Sequence, residues 1–264
     1  MNTTLFGMDL RPTEWNNPYQ LIRCTKALHP TKMSSLDFTL NPYSGCEHGC
    51  VYCYAPGHTH SDLSTWRVVK VKTNIVDRLS KEIDGAEGTI GIGTVTDPYQ
   101  PAEGRFMLTR MCLEVLQRKK RSVFIITKSP LITRDIDILS NMDSVIAITI
   151  TNPNDKISKI TEPGAALPKE RLETIRKLMD SGIDTTVFIA PVLSSLEGYE
   201  EELMRSISDS GVRKVYADPL NQRGTDMDRL NRMNITSSVK AERRLAELGE
   251  RYGVEVILGR RMYD

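Results

Sequence analysis

The sequence predicts an α/β fold, namely an open, partial (β/α)6 TIM-type barrel with short extensions at both ends. Short apolar runs alternate with amphipathic segments along most of the chain. Strands separated by helices imply right-handed crossovers and a parallel sheet. A partial barrel is the simplest arrangement of such a sheet. At 264 residues, without a linker or an internal repeat, the chain has the length of a single barrel domain.

The predicted elements follow from these runs in chain order. The apolar runs predict six barrel strands at Leu36–Leu40, Thr89–Gly93, Val123–Thr127, Val145–Thr151, Thr185–Ala190 and Lys214–Ala217. Helical periodicity between them predicts helices near residues 73–84, 105–119, 130–140, 168–181 and 197–210. A last helix and strand are predicted near residues 238–252 and 254–258.

We therefore predict a single domain over residues 1–264. Residues 1–35 have weak periodicity and several prolines, so they are expected to form an irregular lead-in over the barrel. Residues 36–220 form the predicted barrel core, and residues 221–264 form a C-terminal extension. Active sites of such barrels lie at the carboxyl ends of the strands, so the loops that follow the strands are the place to search.

Composition limits the classes of function. Hydrophobic residues make up 39% and charged residues 26%, and no apolar run approaches the ~20 residues that cross a bilayer. The first residues lack the basic start and apolar stretch of a secretion signal, so we expect a cytoplasmic protein without a membrane partner. The formal net charge of +1 gives no global attraction to polyanions, so any contact with nucleic acid needs a local patch.

Three cysteines crowd into the loop after the first barrel strand. Cys46, Cys50 and Cys53 are a poor disulfide framework in a reducing compartment, and metal ligation is the better interpretation. Thiolates are natural ligands of iron–sulfur clusters, and three of them leave one iron of a four-iron cluster open. Gly45 and Gly49 allow positive φ angles, which bring backbone N–H groups close to the sulfides.

A structural zinc site is the alternative interpretation of this loop. His48, His58 or His60 would be the fourth ligand of such a site. Zinc sites of this kind usually stabilise small modules, whereas this loop opens a barrel that has its own core. The remaining cysteines have simpler interpretations: Cys112 lies in a helical pattern typical of a buried, inert thiol, and Cys24 lies in the lead-in.

The pattern C-x-x-x-C-x-aromatic-C, together with the residues before it, resembles the radical SAM superfamily, and within it the branch of spore photoproduct lyase. The resemblance extends over roughly residues 36–195 and includes further short motifs. These are residues 41–54, 96–101, 127–129, 162–164 and 190–191.

The resemblance implies an enzyme with two cofactors, a [4Fe-4S] cluster and S-adenosylmethionine (SAM). In this family the amine and carboxylate of SAM chelate the open iron. The reduced cluster cleaves SAM to a 5′-deoxyadenosyl radical, which removes hydrogen from the substrate, so the site has to exclude water. The implied partners are a reductant such as flavodoxin or ferredoxin, and a small-molecule, peptide or nucleic-acid substrate.

The resemblance also implies which residues bind SAM. Tyr52 is expected beside the adenine, and Gly91 and Gly93 near the SAM amine. Lys128 is expected to face the SAM carboxylate, although a solvated lysine at the barrel rim is the alternative. Three residues that end the fourth strand are expected to bind ribose or carboxylate, with helix capping as the alternative: Thr149, Thr151 and Asn152.

Three residues are candidates for catalysis. Tyr54 belongs to the Tyr-Cys-Tyr arrangement around the third cluster ligand, which resembles an arrangement implicated in radical return in spore photoproduct lyase. Asp97 and Tyr99 lie in the loop after the second strand, where substrate is expected, but an Asp-Pro turn explains this loop equally well.

The sequence departs from spore photoproduct lyase at one position. That enzyme needs a cysteine just before the acidic residue after strand two, whereas Thr94 and Val95 lie there in this chain. Repair of the spore thymine dimer is therefore not expected. Repair or modification of another nucleobase in DNA or RNA remains an alternative, for which Arg223, Arg229 and Arg232 would contact phosphates. The non-enzymatic alternative is a zinc-stabilised binding module.

Overall fold

The computed structural model describes residues 19–33 and 35–259, and the backbone of residues 4–5 and 8–9. The strands in these ranges are β1 (Thr4–Leu5), β2 (Met8–Asp9), β3 (Gln20–Ile22), β4 (Leu28–Pro30), β5 (Phe38–Leu40), β6 (Tyr43–Ser44), β7 (Lys70–Lys72), β8 (Ile90–Ile92), β9 (Val123–Thr127), β10 (Ser144–Thr149), β11 (Asp184–Ile189), β12 (Lys214–Ala217) and β13 (Glu255–Leu258). The α-helices are α1 (Ala55–His58), α2 (Ile75–Glu82), α3 (Pro101–Phe106), α4 (Leu108–Arg118), α5 (Ile136–Leu139), α6 (Asp155–Thr161), α7 (Pro168–Asp180), α8 (Glu200–Asp209), α9 (Met227–Arg232) and α10 (Val239–Tyr252). Short 3-10 helices cover Leu63–Thr65, Ile83–Gly85, Pro130–Asp135 and Ser194–Leu196.

The central sheet has eight strands in the order β13-β12-β11-β10-β9-β8-β5-β4. Within this sheet, β5, β8, β9, β10, β11, β12 and β13 pair in parallel, and β4 pairs antiparallel with β5 at one edge. Among the described residues no hydrogen bonds join the two edge strands β4 and β13. The predicted α/β fold with a mostly parallel, open sheet is confirmed, and all carboxyl ends of the parallel strands lie on the same side.

The core lies between this sheet and the helices that connect its strands. Apolar side chains on the strands, such as Leu40, Ile92 and Ile125, are buried against apolar faces of the helices. The helix ends carry local signals that suit them: Pro168 starts α7, and the Ser238 side chain accepts a hydrogen bond from the backbone N–H of Ala241 at the start of α10.

A second, three-stranded sheet in the order β3-β7-β6 supports the cysteine loop, which we define as residues 45–54. Strand β6 leads directly into this loop. The backbone N–H of Cys46 donates a hydrogen bond to the carbonyl of Trp66 at 3.0 Å, which extends the contact between the loop and the segment before β7. The small sheet therefore fixes the start of the loop relative to the barrel.

The predicted lead-in is not irregular throughout. It contains β3, which joins the small sheet, and β4, which extends the barrel sheet. Both strands have only three residues, too few to show an alternating pattern, and β4 ends on Pro30, which suits an edge strand. Residues 1–3, 6–7, 10–18 and 34 of the lead-in lie outside the described residues. Residues 260–264 of the extension also lie outside them.

Two helical predictions need correction, and short helices were missed. The helix predicted near 105–119 is two helices, because Met107 adopts a left-handed conformation with φ of 52° between α3 and α4. The segment near 130–140 begins as a 3-10 helix after Pro130 and becomes α5 only at Ile136. Helices α6 and α9 were not predicted, because seven and six residues are too few for a clear helical period.

Candidate active site

A cavity of about 170 Å³ lies at the carboxyl ends of the parallel strands. The cysteine loop and the start of α1 line one side through Cys46, His48, Cys50, Tyr52, Cys53, Tyr54 and Ala55. The ends of β8 and β9 contribute Gly93, Thr94, Val95, Thr96, Asp97, Ile126, Thr127 and Lys128. The remaining lining residues follow β10, β11 and β12, and we call them the far wall: Thr149, Phe188, Ala190, Pro191, Asp218, Pro219, Leu220 and Asn221.

The three cysteines of the loop all line this cavity. Burial raises the pKa of each thiol, and for Cys46 the neighbouring Asp97 carboxylate adds to the effect. No group of three His, Cys, Asp or Glu side chains in the described part of the chain lies close enough to bind one metal ion. A single tetrahedral zinc ion needs sulfur ligands within about 4 Å of one another. A four-iron cluster instead takes each thiolate on a different iron.

Two glycines explain the path of the cysteine loop. Gly45 has φ of 86°, and a Cβ atom there would lie 2.7 Å from the carbonyl oxygen of Trp66. Gly49 has φ of 60° and lies against the Arg67 side chain. Both positions therefore require glycine, which agrees with the prediction that they adopt positive φ angles.

Trp66 forms the wall behind two of the thiols. It belongs to one small cluster with Cys46, Cys53, Ala55 and Val95. The indole nitrogen is buried, and no hydrogen-bond acceptor for it is found among the described residues. Burial raises the pKa of Cys53, and a hydrogen bond from the backbone of Ala55, the charge of Lys128 and the neighbouring Trp66 indole oppose this rise without outweighing it.

A buried ion pair holds the cysteine loop from the side of α6 and α7. Glu162 and Arg171 lie 2.5 Å apart, and both side chains are almost fully buried. Glu162 also accepts hydrogen bonds from the Tyr52 hydroxyl and from Thr151 Oγ1, the latter at 3.0 Å. Burial acts to raise the pKa of Glu162, but the charges of Arg171 and Lys128 outweigh it and lower the pKa to about 2. Glu162 is therefore a carboxylate.

The residues after Glu162 touch the backbone of the cysteine loop. Gly164 donates its N–H to the carbonyl of His48 at 2.8 Å, and a Cβ atom on Gly164 would lie 2.4 Å from the carbonyl oxygen of Glu47. Val51 donates its N–H to the carbonyl of Thr161 at 2.9 Å. Residues 161–164 therefore clamp the loop that carries the thiols.

Lys128 is the cationic side chain of the cavity lining. Its ammonium lies 5.7 Å from the centre of the Tyr52 ring, a cation–π geometry. No carboxylate or carbonyl of the described residues is bonded to this ammonium. Burial favours the neutral amine, but the nearby Cys50 and Glu162 outweigh it and raise the pKa of Lys128. Lys128 thus offers a positive charge to whatever occupies the cavity.

Asp97 also lines the cavity, but its carboxylate is fully occupied by the protein. It accepts hydrogen bonds from Thr127 Oγ1 at 2.7 Å, from the backbone N–H of Tyr99 at 2.9 Å and from that of Lys128 at 2.8 Å. His48 Nδ1 lies 3.4 Å from the same carboxylate. These contacts tie the ends of β8 and β9 together, so Asp97 positions Lys128. Its predicted catalytic role stays a prediction.

The other predicted site residues divide into two groups. Tyr52, Tyr54, Gly93 and Thr149 line the cavity together with the cysteines, and the Tyr54 hydroxyl donates to the carbonyl of Thr94 at 2.7 Å. Four others lie outside the lining: Gly91, Tyr99, Thr151 and Asn152.

Each residue of this second group has a place in the surrounding structure. Gly91 is buried in β8 against Leu36, and Tyr99 donates its hydroxyl to Asp135 at 3.1 Å. Thr151 bonds Glu162, and the Asn152 amide donates to the carbonyl of Ser195 at 2.7 Å. Their predicted contacts with cofactor or substrate stay predictions.

The far wall of the cavity contains an acidic residue that sequence reasoning missed. Asp218 follows β12 and is 5% exposed, and its Oδ1 atom has no hydrogen-bond partner among the described residues. Burial, with a contribution from Glu242, raises its pKa to about 6. The signal in the sequence was its position at the end of the sixth strand, the same signal that identified Lys128.

The position at which spore photoproduct lyase has a cysteine, and this chain has none, also borders the cavity. Thr94 and Val95 line it next to Asp97. The cysteines outside the loop do not take over this place, because Cys24 and Cys112 do not line the cavity. The cavity therefore offers no sulfur beyond the three loop thiols within the described residues.

Hydropathy adds one observation. Across the described residues, none of the helices has the length and apolar character needed to span a bilayer.

Comparison with known proteins identifies relatives of this chain. The model of the radical SAM superfamily matches residues 40–207. An uncharacterized protein of Methanocaldococcus jannaschii is 31% identical over 180 residues, which is 66% of this chain and 68% of that protein. An uncharacterized protein of Mycobacterium tuberculosis is 31% identical over 203 residues, 71% of this chain but only 60% of that protein.

A solved structure shares the fold. A mutant of spore photoproduct lyase with bound AdoMet and a dinucleoside spore photoproduct superposes with a TM-score of 0.63. The superposition covers 89% of this chain and 80% of that chain, at 18% sequence identity.

Proposed function

Because this chain belongs to the radical SAM superfamily of enzymes, we propose that it uses a [4Fe-4S] cluster to cleave SAM reductively and to remove hydrogen from a substrate. One observation carries this proposal. Three cysteine thiols and a lysine ammonium that no described carboxylate bonds line the same cavity at the carboxyl ends of the barrel strands.

The residues present fit a cluster. Cys46, Cys50 and Cys53 supply three sulfur ligands, which is the number that leaves one iron open. The buried N–H of Trp66 has no acceptor among the described residues and lies beside the sulfur atoms. The loop reaches this arrangement only because Gly45 and Gly49 permit it. When bound, the cluster would supply the electron that converts SAM into methionine and a 5′-deoxyadenosyl radical.

Residues of this chain would bind and orient SAM. The Lys128 ammonium would hold the SAM carboxylate in a charge-assisted hydrogen bond, with its backbone fixed by Asp97. The Tyr52 ring would flank the adenine, while its hydroxyl is anchored to Glu162. Phe188, Leu220 and Pro219 make the far wall largely apolar, and such a wall excludes water from the reacting atoms.

Anaerobic reconstitution tests this function. The protein would be incubated with iron and sulfide, reduced with dithionite in the presence of SAM, and assayed for 5′-deoxyadenosine. We expect about four irons per chain, broad absorbance near 400 nm and 5′-deoxyadenosine, all lost when the three cysteines are replaced by alanine. One zinc per chain with no iron and no nucleoside product would instead support a zinc-stabilised binding module.

A nucleic-acid substrate is the second candidate. The far wall continues from Asn221, which lines the cavity, into a segment with exposed arginines at 223, 229 and 232. Guanidinium groups beside the entrance of a cavity suit the phosphates of a strand whose base enters it. The solved relative with the same fold contains a dinucleoside photoproduct, which is a property of that protein.

Salt-dependent binding distinguishes this candidate. If Arg223, Arg229 and Arg232 bind phosphates, their replacement by glutamine should weaken binding of DNA or tRNA and lower the salt slope by about one for each arginine that binds a phosphate. Replacement of Lys119 and Lys120, exposed at the end of α4, is the matched control and should leave binding unchanged. A wild-type protein that binds neither nucleic acid at ~50 mM salt would leave a small molecule or peptide as substrate.

We also propose that the partner supplying electrons is flavodoxin or ferredoxin. Support comes from the chemistry alone, because a cluster of this kind needs a one-electron donor of low potential. Electron transfer from purified flavodoxin to the reconstituted cluster, in place of dithionite, is the measurement that tests it.

A further inference from the structure

Trp66 has a polar group in an unusual place. Its indole N–H is buried with no acceptor in the described part of the protein. An N–H buried without an acceptor destabilises the folded state, so native proteins rarely leave one unbonded. The indole N–H therefore calls for an acceptor, and no described residue accepts a hydrogen bond from it in this structure.

The surroundings of the indole limit what this acceptor can be. Trp66 belongs to one small cluster with Cys46, Cys53, Ala55 and Val95. Two of these are apolar, and the other two carry sulfur atoms. Thiolate sulfur and inorganic sulfide are both hydrogen-bond acceptors, and such bonds to a cluster are a recognised means of tuning it.

Trp66 is also fixed in position relative to the ligands. Its carbonyl accepts the backbone N–H of Cys46 at 3.0 Å, and it lies so close to Gly45 that a side chain at residue 45 could not be accommodated. One residue therefore holds the backbone of the first ligand and presents its indole N–H near the sulfur of the third, Cys53. A ring held in this way has little freedom to turn its N–H elsewhere.

We infer that the Trp66 indole N–H donates a hydrogen bond to the sulfur of Cys53 or to an adjacent sulfide of the cluster, and thereby raises the reduction potential of the cluster. A donor beside the sulfur stabilises the more negative, reduced state more than the oxidised state. The inference rests on the proposed function, because it requires that a cluster is bound. Trp66 is a positioning residue, since it acts through the cluster ligands.

Isotope labelling provides the test. The chain has two tryptophans, Trp15 and Trp66, so ¹⁵N-indole labelling is nearly specific. Pulsed electron paramagnetic resonance (EPR) of the reduced, reconstituted protein should detect a ¹⁵N coupling and an exchangeable proton coupling from an indole. Trp15→Phe should keep both couplings, and Trp66→Phe, which retains an aromatic ring, should lose both.

The potential gives a second, independent readout. At a fixed applied potential, the ratio of reduced to oxidised cluster should fall roughly tenfold in Trp66→Phe and stay unchanged in Trp15→Phe. A residue that only filled space would change the iron content but not the potential of the clusters that assemble.

The outcomes separate this inference from the proposed function. Wild-type protein that assembles no iron–sulfur cluster contradicts the proposed function and leaves nothing for Trp66 to bond. A full cluster without indole coupling in the wild type, or with the same coupling in Trp66→Phe, overturns the role of Trp66 alone. The wild-type measurement is decisive even when Trp66→Phe fails to fold.

Discussion

Two buried glutamates in this protein have opposite electrostatic environments. Glu103, in α3, accepts hydrogen bonds from the Tyr43 hydroxyl at 2.5 Å and from Arg134 at 2.6 Å, and burial raises its pKa. Glu162, beside the cavity, has a pKa lowered to about 2. Both side chains are essentially inaccessible to solvent, so burial alone cannot explain the difference.

The number of cations near each glutamate explains it. Glu103 belongs to an outer network in which Arg134 and Arg110 are shared with Asp135, so each positive charge is matched by carboxylates. Glu162 is paired with Arg171 and also lies within the field of Lys128, whose ammonium faces the cavity. The outer network is complete without a ligand. In the cavity-side network the Lys128 ammonium has no carboxylate of the described residues bonded to it, which suits a bound anion.

The largest expected effect comes from breaking the cavity-side network. We expect Glu162→Gln to lower the free energy of unfolding by about 3–5 kcal/mol, because it leaves the buried Arg171 without its partner. Glu103→Gln should lower it less, because Arg134 stays paired with Asp135. Urea unfolding measures both losses. Only Glu162→Gln should also reduce the iron bound on reconstitution, because only Glu162 lies beside the cysteine loop. Equal iron content in the two variants would show that the networks do not differ in function.

The next effect concerns the unmatched cation. Lys128→Met should weaken SAM binding to the reconstituted protein roughly tenfold to a hundredfold, which is the value of a hydrogen bond to a charged group. Equilibrium binding of radiolabelled SAM measures it. Lys119→Met removes a lysine paired with Asp84 on the surface and is the matched control. Unchanged affinity in Lys128→Met would mean that Lys128 does not hold the carboxylate.

The low pKa of Glu162 predicts a dependence of stability on pH. A carboxylate with a folded pKa of about 2 and an unfolded value of 4.5 contributes stability above pH 4.5 that is lost as the pH falls toward 2. Between pH 6 and pH 3, cluster-free wild-type protein should lose about 2 kcal/mol more than Glu162→Gln. Denaturant unfolding at both pH values measures this difference, and parallel losses in the two proteins would contradict the assignment.

The smallest effect tests a residue that the sequence placed in the site. Tyr99→Phe removes a hydroxyl from the outer network and should cost about 1 kcal/mol of unfolding free energy. Because Tyr99 does not line the cavity, formation of 5′-deoxyadenosine should stay within about twofold of wild type. A large loss of this activity with normal stability would restore Tyr99 as a catalytic residue.

The sequence predicted those strands and cavity-lining residues whose signal lies within a short segment of the chain. Apolar runs identified the barrel strands, because a strand buried on both faces is continuously apolar. The cysteine spacing and the positions at strand ends identified Cys46, Cys50, Cys53 and Lys128, since the carboxyl ends of parallel strands meet on one side. Five of the other predicted site residues also line the cavity: Tyr52, Tyr54, Gly93, Asp97 and Thr149.

Long-range partners could not be predicted in the same way. Glu162 belongs to a motif of the family resemblance, whereas Arg171 has no signal in the sequence, and only the fold shows that the two form a buried pair behind Tyr52. Trp66 lies in a segment without periodicity, and its contact with the cluster ligands depends on the small sheet. The side to which Tyr99 points depends on the turn at Asp97, which a single sequence does not reveal.

The central claim is that this cavity brings a cluster and SAM into direct contact, and EPR spectroscopy of the reduced, reconstituted protein tests it most directly. Spectra would be recorded with and without SAM, for wild type and for Lys128→Met. We expect an iron–sulfur signal in both proteins. SAM should alter this signal in the wild type at concentrations that leave the signal of Lys128→Met unchanged. A wild-type signal that does not respond to saturating SAM, or the absence of any iron–sulfur signal, would contradict it.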